Sequence, residues 1–130
     1  MEIDKSFVEC SKDKPGTIYA DWTDGDFRCL IMRGPCSLCA YVGVPEGHPF
    51  YGKGYNDINI ECHGGLTFSE PAHDKWPDGF WWFGWDYAHF GDAAFYDLDH
   101  GGIGSADLPW EPSCVKQQFT DVIKQFRNAK

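Results

Sequence analysis

The chain contains no apolar run approaching the ~20 residues a membrane helix needs, so a membrane-spanning role is not expected. The first residues, Met1-Glu2-Ile3-Asp4-Lys5, are acidic and lack the apolar stretch of an export signal, and the expected setting is soluble and cytoplasmic. Positive charge is scarce. Eleven Lys and Arg face twenty Asp and Glu, for a formal charge of −9, and such a surface repels phosphate backbones and disfavours duplex nucleic acid as a partner. Also missing are a phosphate-binding P-loop, a dinucleotide-binding glycine fingerprint and a Gly-x-Ser-x-Gly elbow. No internal repeat or low-complexity tract is present.

Aromatic residues are abundant, with six Trp, six Tyr and ten Phe in 130 residues. Each can bury on the order of 150–250 Å², so one domain spanning residues 1–130 can form a core without disulfide staples. The six cysteines are expected as reduced thiols. Cys36 and Cys39 form the only Cys-x-x-Cys pair. A structural zinc there would need Cys29 together with Cys62 or His63 to complete it.

The pattern along the chain points to an α+β fold, a mainly antiparallel sheet of about five strands with a C-terminal amphipathic helix packed on it. Thr17–Trp22 and Phe27–Met32 read as strands joined through a turn at Thr23-Asp24-Gly25-Asp26, and Ser37–Val44 as a third. Pro45–Tyr55 and Pro71–Gly79 read as loops. Asp57–Cys62 and Leu66–Phe68 flank His63-Gly64-Gly65. In Phe80–Asp86, alternation puts Phe80, Trp82, Gly84 and Asp86 on one face and Trp81, Phe83 and Trp85 on the other. Both faces are apolar until the strand ends, which predicts an inner strand covered on both sides. Val115, Phe119, Val122, Ile123 and Phe126 form one helical stripe. Pro112 suits its first turn, Ser113 is the candidate cap, and Lys124, Arg127 and Lys130 complement the dipole at its end.

Chemistry concentrates in two segments. Gly64 and Gly65 lack a Cβ and can bring backbone N–H groups close to a ligand, and His63 beside them can move a proton or bind a metal. Asp86, His89 and Asp92 are spaced at i, i+3 and i+6, and a helical turn after the strand would bring at least the first two onto one side. His63, Asp86, His89 and Asp92 are therefore the candidate catalytic residues. Asp86, His89 and Asp92 are the candidate ligands of a divalent metal ion, and Gly64, Gly65, His48 and Trp82 the candidate ligand-binding residues. The competing structural reading makes Asp86 a cap of the following turn, His89 its partner, and the glycines a hairpin. Asp97-Leu98-Asp99-His100-Gly101-Gly102 has acids at the first and third places of a calcium loop, but Leu108 stands where the closing Glu belongs, so a solvated acidic loop is expected. His73 and His100 read as loop residues.

Three stretches together resemble a family of small bacteriophage and prophage proteins usually labelled hypothetical. They are Cys39-Ala40-Tyr41-Val42-Gly43-Val44-Pro45-Glu46-Gly47-His48-Pro49, His63-Gly64-Gly65-Leu66-Thr67-Phe68 and Trp81–Asp92. The family carries a His-Gly-Gly-Leu-Thr segment, then Gly-Phe-Asp-x-Ala-His-x-Gly-Asp, then an amphipathic helix. The resemblance covers roughly residues 28–128, about three quarters of the chain. Trp85 stands where Phe is usual and Phe90 where Ala is common. The resemblance implies a viral setting and marks positions without supplying a reaction. Two functions are compatible with these positions. One is hydrolysis of a phosphorylated or nucleotide-like small molecule, with the candidate metal ion assisting. The other is a non-catalytic binder that sequesters a nucleotide-type signal or blocks a host defence protein, with Trp76 and Trp110 as stacking surfaces.

Overall fold

A computed structural model of the protein describes residues 2–72 and 76–129. His73 and Lys130, assigned above to a loop and to the helix end, lie outside the described residues. Five strands form one antiparallel sheet: β1 (Ile18–Asp24), β2 (Phe27–Arg33), β3 (Leu38–Pro45), β4 (Phe68–Pro71) and β5 (Phe80–Asp86), in the order β1-β2-β3-β5-β4. With the C-terminal helix this is the α+β architecture expected. Asp24 pairs with Phe27, leaving Gly25 and Asp26 as a two-residue hairpin loop. β5 lies between β3 and β4, an inner strand as its apolar faces require.

Among the described residues, three α-helices accompany the sheet: α1 (Phe7–Ser11), α2 (Phe95–Asp99) and α3 (Pro112–Arg127). Ser6 and Glu9 form a reciprocal capping box at the start of α1. The stripe of α3 is buried in full, from Val115 to Phe126, against one face of the sheet. There Phe119 meets Trp22 and Trp85 with ring centroids 4.7 and 4.9 Å apart, and Phe83 meets Phe126 at 5.5 Å. Such pairs add about 0.5–1.5 kcal/mol each beyond the area they bury. Pro112 is at the first helical position, but the cap is Glu111 rather than Ser113. No helix among the described residues is long and apolar enough to cross a membrane.

The opposite face carries a smaller cluster of Leu30, Met32 and Trp82, packed with Ile18, Tyr41, Phe68, Trp76 and Phe80. Trp82, expected at a ligand site, is fully buried in this cluster, so it contacts sheet neighbours and not a ligand. The stretch 97–102 is not simply a solvated loop. Asp97 and Asp99 belong to α2, where the Asp97 carboxylate accepts from the Ala94 N–H and His100 stacks on Tyr96 just past the helix end.

His48 is likewise structural. Its Nδ1 accepts from the Phe50 N–H at 3.0 Å, so the proton sits on Nε2, which donates to the Phe126 carbonyl at 2.8 Å. The ring therefore ties the Pro45–Phe50 loop to the last turn of α3, wedged among Phe27, Phe50 and Phe126.

All six cysteines are free thiols. Cys29 lies in the core on the α3 side of the sheet, whereas Cys39 pairs along β3 with its side chain on the other face. Strand alternation thus separates the members of the zinc quartet, and Cys36 and Cys39 do not assemble with Cys29. Burial pushes the Cys39 thiol up to about 11 and the Cys29 thiol up to about 12.

Candidate metal centre at the end of the tryptophan-rich strand

Past Asp86 the chain leaves β5 and turns sharply. The Asp92 N–H donates to the His89 carbonyl at 2.8 Å, closing a tight turn over His89-Phe90-Gly91-Asp92. Asp92 then pairs in a parallel bridge with Leu108, which fixes the incoming segment that carries Trp110. His63 arrives from a separate loop, whose turn is closed by the Gly65 N–H on the Cys62 carbonyl at 3.0 Å.

Asp92 is the hub of the cluster. Its side chain is only 3% exposed, and a carboxylate so placed is costly unless its oxygens are filled with hydrogen-bond donors. Here they are filled. His63 Nε2 donates at 2.8 and 3.0 Å to the two oxygens, Trp110 Nε1 donates at 2.8 Å, and the His89 N–H donates at 3.0 Å. Burial pushes the Asp92 carboxyl up, but the donors from His63, Trp110 and the His89 backbone outweigh it and hold the group below its ordinary value. Because ionised Asp92 is an acceptor only, His63 carries a proton on Nε2.

His63 is held on its other sides by rings. It stacks on Tyr87 with centroids 4.7 Å apart and meets the edges of Trp110 and His89 at 5.0 and 5.5 Å. Tyr87 is anchored in turn, receiving a hydrogen bond from Trp85 Nε1 and donating one to Gln118 on α3. The wall behind His63 is thus built from β5 and α3 together. Its partly exposed edge faces a cleft of about 220 Å³ lined also by Glu61, Cys62, Gln118, Asp121 and Val122. Burial pushes the Cys62 thiol up to about 11, so it is a neutral lining group at physiological pH.

His89 sits between two carboxylates. Its Nδ1 is 3.4 Å from Asp92 and its Nε2 is 3.6 Å from Asp86, both longer than a hydrogen bond. Among the described residues, Nδ1 of His89 is one of two buried side-chain nitrogens with no hydrogen-bond partner, the other being Nε1 of Trp82. Both glycines of the His63-Gly64-Gly65 turn have positive φ, +72° and +82°. A Cβ on Gly64 would overlap the His89 ring, while one on Gly65 would meet open space. Gly64 therefore makes room for a histidine, and the Gly65 N–H closes a turn, where the sequence suggested that both offered backbone to a ligand.

His63, His89 and Asp92 each present a ligand atom, and these lie within 4.8 Å of one another. They could hold a metal ion. Zinc with ligands at ~2.1 Å sets its ligand atoms ~3.4 Å apart, so the three side chains need shifts of about 1 Å or less to close around it. The expected set was Asp86, His89 and Asp92, and His63 takes the place of Asp86. Asp86 instead caps its own turn, accepting from the Ala88 N–H at 3.1 Å and from the Thr67 hydroxyl at 3.2 Å. It stands on the far side of His89 from Asp92, where a carboxylate can orient a ligating imidazole.

Trp110 was expected only as a stacking surface. Its role as a donor to Asp92 depends on the parallel bridge at Leu108, eighteen residues from Asp92 to Trp110 along the chain, and no local spacing announces it. Trp110→Phe should keep the ring packing against His63 and Tyr87 while removing the donor. We expect a loss of about 1.5–3 kcal/mol in urea unfolding, the usual value for a hydrogen bond to a charged group. Comparison with protein-family models, with curated proteins and with solved structures finds no match to this chain.

Proposed function

We propose that the protein binds one divalent cation at His63, His89 and Asp92 and hydrolyses a small phosphorylated or nucleotide-like molecule there, in the cytoplasm of a phage-infected or prophage-bearing cell. The observation that carries this reading is the convergence of two imidazoles on a buried, ionised carboxylate, with the inward nitrogen of His89 lacking a partner. Two nitrogens and one carboxylate oxygen with solvent on one side match the three-ligand sets of hydrolytic metal sites, which keep a position open.

Charge supports the same reading. A protein of net charge −9 has little general attraction for a phosphate, and a bound cation would supply it locally. When bound, the cation would polarise a phosphoryl oxygen and make water more acidic. The protein's own groups do the rest. Trp110 and the His89 N–H hold Asp92, His63 gives up the Nε2 proton that Asp92 accepts when the cation takes that nitrogen, and Asp86 stands 3.6 Å from His89 Nε2. Tyr87 and Gln118 fix the plane of the His63 ring beside the open cleft.

The sequestering alternative loses one of its two proposed stacking surfaces, because Trp76 packs on Tyr41, Phe68 and Trp82. A panel of phosphomonoesters and nucleoside phosphates, assayed for released phosphate with Mn2+ and after chelation, tests the hydrolase. Activity with Mn2+ should vanish on chelation and fall at least about 100-fold in His89→Ala. Turnover that survives both treatments would rule out the metal centre as its source.

A further inference from the structure

Beside the metal group lies a second, smaller concavity of about 140 Å³, lined by Leu108, Pro109, Trp110 and Cys114. Its wall is almost wholly apolar, in contrast to the carboxylates and carboxamide that line the cleft beside His63. Trp110 is the party wall. The indole donates its N–H to Asp92 and also lines the apolar cleft. Leu108 is 57% exposed although its backbone is fixed, its N–H on the Gly91 carbonyl and its carbonyl accepting from the Ala93 N–H. Phe90, next to His89 in the same tight turn, is fully exposed. Two large apolar side chains are therefore presented to solvent from the segments that build the metal group, and packing does not call for either.

We propose that this cleft is the subsite for the ring of the substrate, which makes the substrate a nucleoside phosphate rather than a simple sugar phosphate. The inference rests on the metal-centre reading and narrows its substrate class. The cleft is too small for a helix or strand of a partner protein and has the apolar walls that a flat heterocycle prefers. Trp110 belongs to both, so a ring held against Leu108 and Pro109 lies one indole away from the residues that would hold the cation, where the phosphate of the same molecule would sit.

Titration of Trp fluorescence in the presence of Mn2+ distinguishes these parts, with adenosine monophosphate and thymidine monophosphate as ring-bearing probes and ribose 5-phosphate as the ringless one. The wild type should bind the nucleotides at least 10-fold more tightly than ribose 5-phosphate. Leu108→Glu places a charge in the cleft from an exposed position, and Cys114→Phe fills it from the exposed side of α3. Both should abolish the 10-fold preference while Mn2+ affinity stays at the wild-type level. Equal binding of the three probes to the wild type, or a preference that persists in both variants, overturns the subsite while leaving the metal centre standing. Failure of the wild type to bind Mn2+ at all ends the metal reading, and the subsite with it.

Discussion

Asp92→Ala is expected to destabilise the protein by about 3–5 kcal/mol, the range found when one partner of a buried charged network is removed. The substitution strips the acceptor from three donors at once: His63 Nε2, Trp110 Nε1 and the His89 N–H. Each buried donor left without a partner costs about 1–3 kcal/mol, and small domains have only about 5–15 kcal/mol of stability in total. Asp92→Asn keeps the shape but turns an amide N–H2 toward those donors, so it should lose most of the same energy. Urea unfolding of the three proteins checks this. A loss under about 1 kcal/mol in Asp92→Ala would mean that Asp92 is not the hub of the cluster.

The same contacts set a pH dependence. The folded-state pKa of Asp92 is lowered, so its contribution is complete above the unfolded value of about 4 and declines as pH falls through the lower folded value. The stability gap between wild type and Asp92→Asn should therefore be widest at neutral pH and narrow in strong acid.

Gly64→Ala should be the second most damaging change, at about 2–4 kcal/mol. Positive φ alone costs a non-glycine residue about 1–2 kcal/mol, and here the new methyl would also overlap the His89 ring. If the ring swings away to relieve the overlap, Nδ1 leaves Asp92 and cation affinity falls at least 10-fold. Gly65→Ala is the matched control. It carries the same backbone strain, with φ +82°, but its methyl meets open space, so it should cost about 1–2 kcal/mol and leave cation binding intact. Equal effects of the two substitutions on binding would show that His89 does not depend on the space above Gly64.

How much of this the amino-acid sequence discloses follows from how local each cause is. The stripe of α3 and the alternation of β5 are set by residues within one element, and both stand as expected. The Ser6/Glu9 box of α1 is equally local, but the helix behind it is only five residues long and shows no apolar period. Helix α2 is too short to show a period, and β4 is a four-residue strip whose pairing depends on β5. Within the site, the spacing of His89 and Asp92 was legible because one turn joins them. The arrival of His63 at Asp92 rather than Asp86 was not, since it depends on where an irregular loop crosses the end of the sheet. Trp82 and His48 were attractive as residue types, but strand alternation buries the first, and the Phe126 carbonyl of α3 and the Phe50 N–H of its own loop claim the two ring nitrogens of the second.

The most direct test is calorimetric titration of Zn2+ or Mn2+ into wild type and His89→Ala at neutral pH, repeated in buffers of different ionisation enthalpy. His89 has no side-chain hydrogen bond to lose and is one-third exposed, so its replacement should leave the fold essentially as stable as before. The expected result is one cation per wild-type chain, with release of the proton that His63 Nε2 shares with Asp92, and at least a 10-fold weaker site in the variant. A wild-type chain that takes up no cation, or a variant that binds it as tightly, would contradict the assignment of His63, His89 and Asp92 as a metal centre.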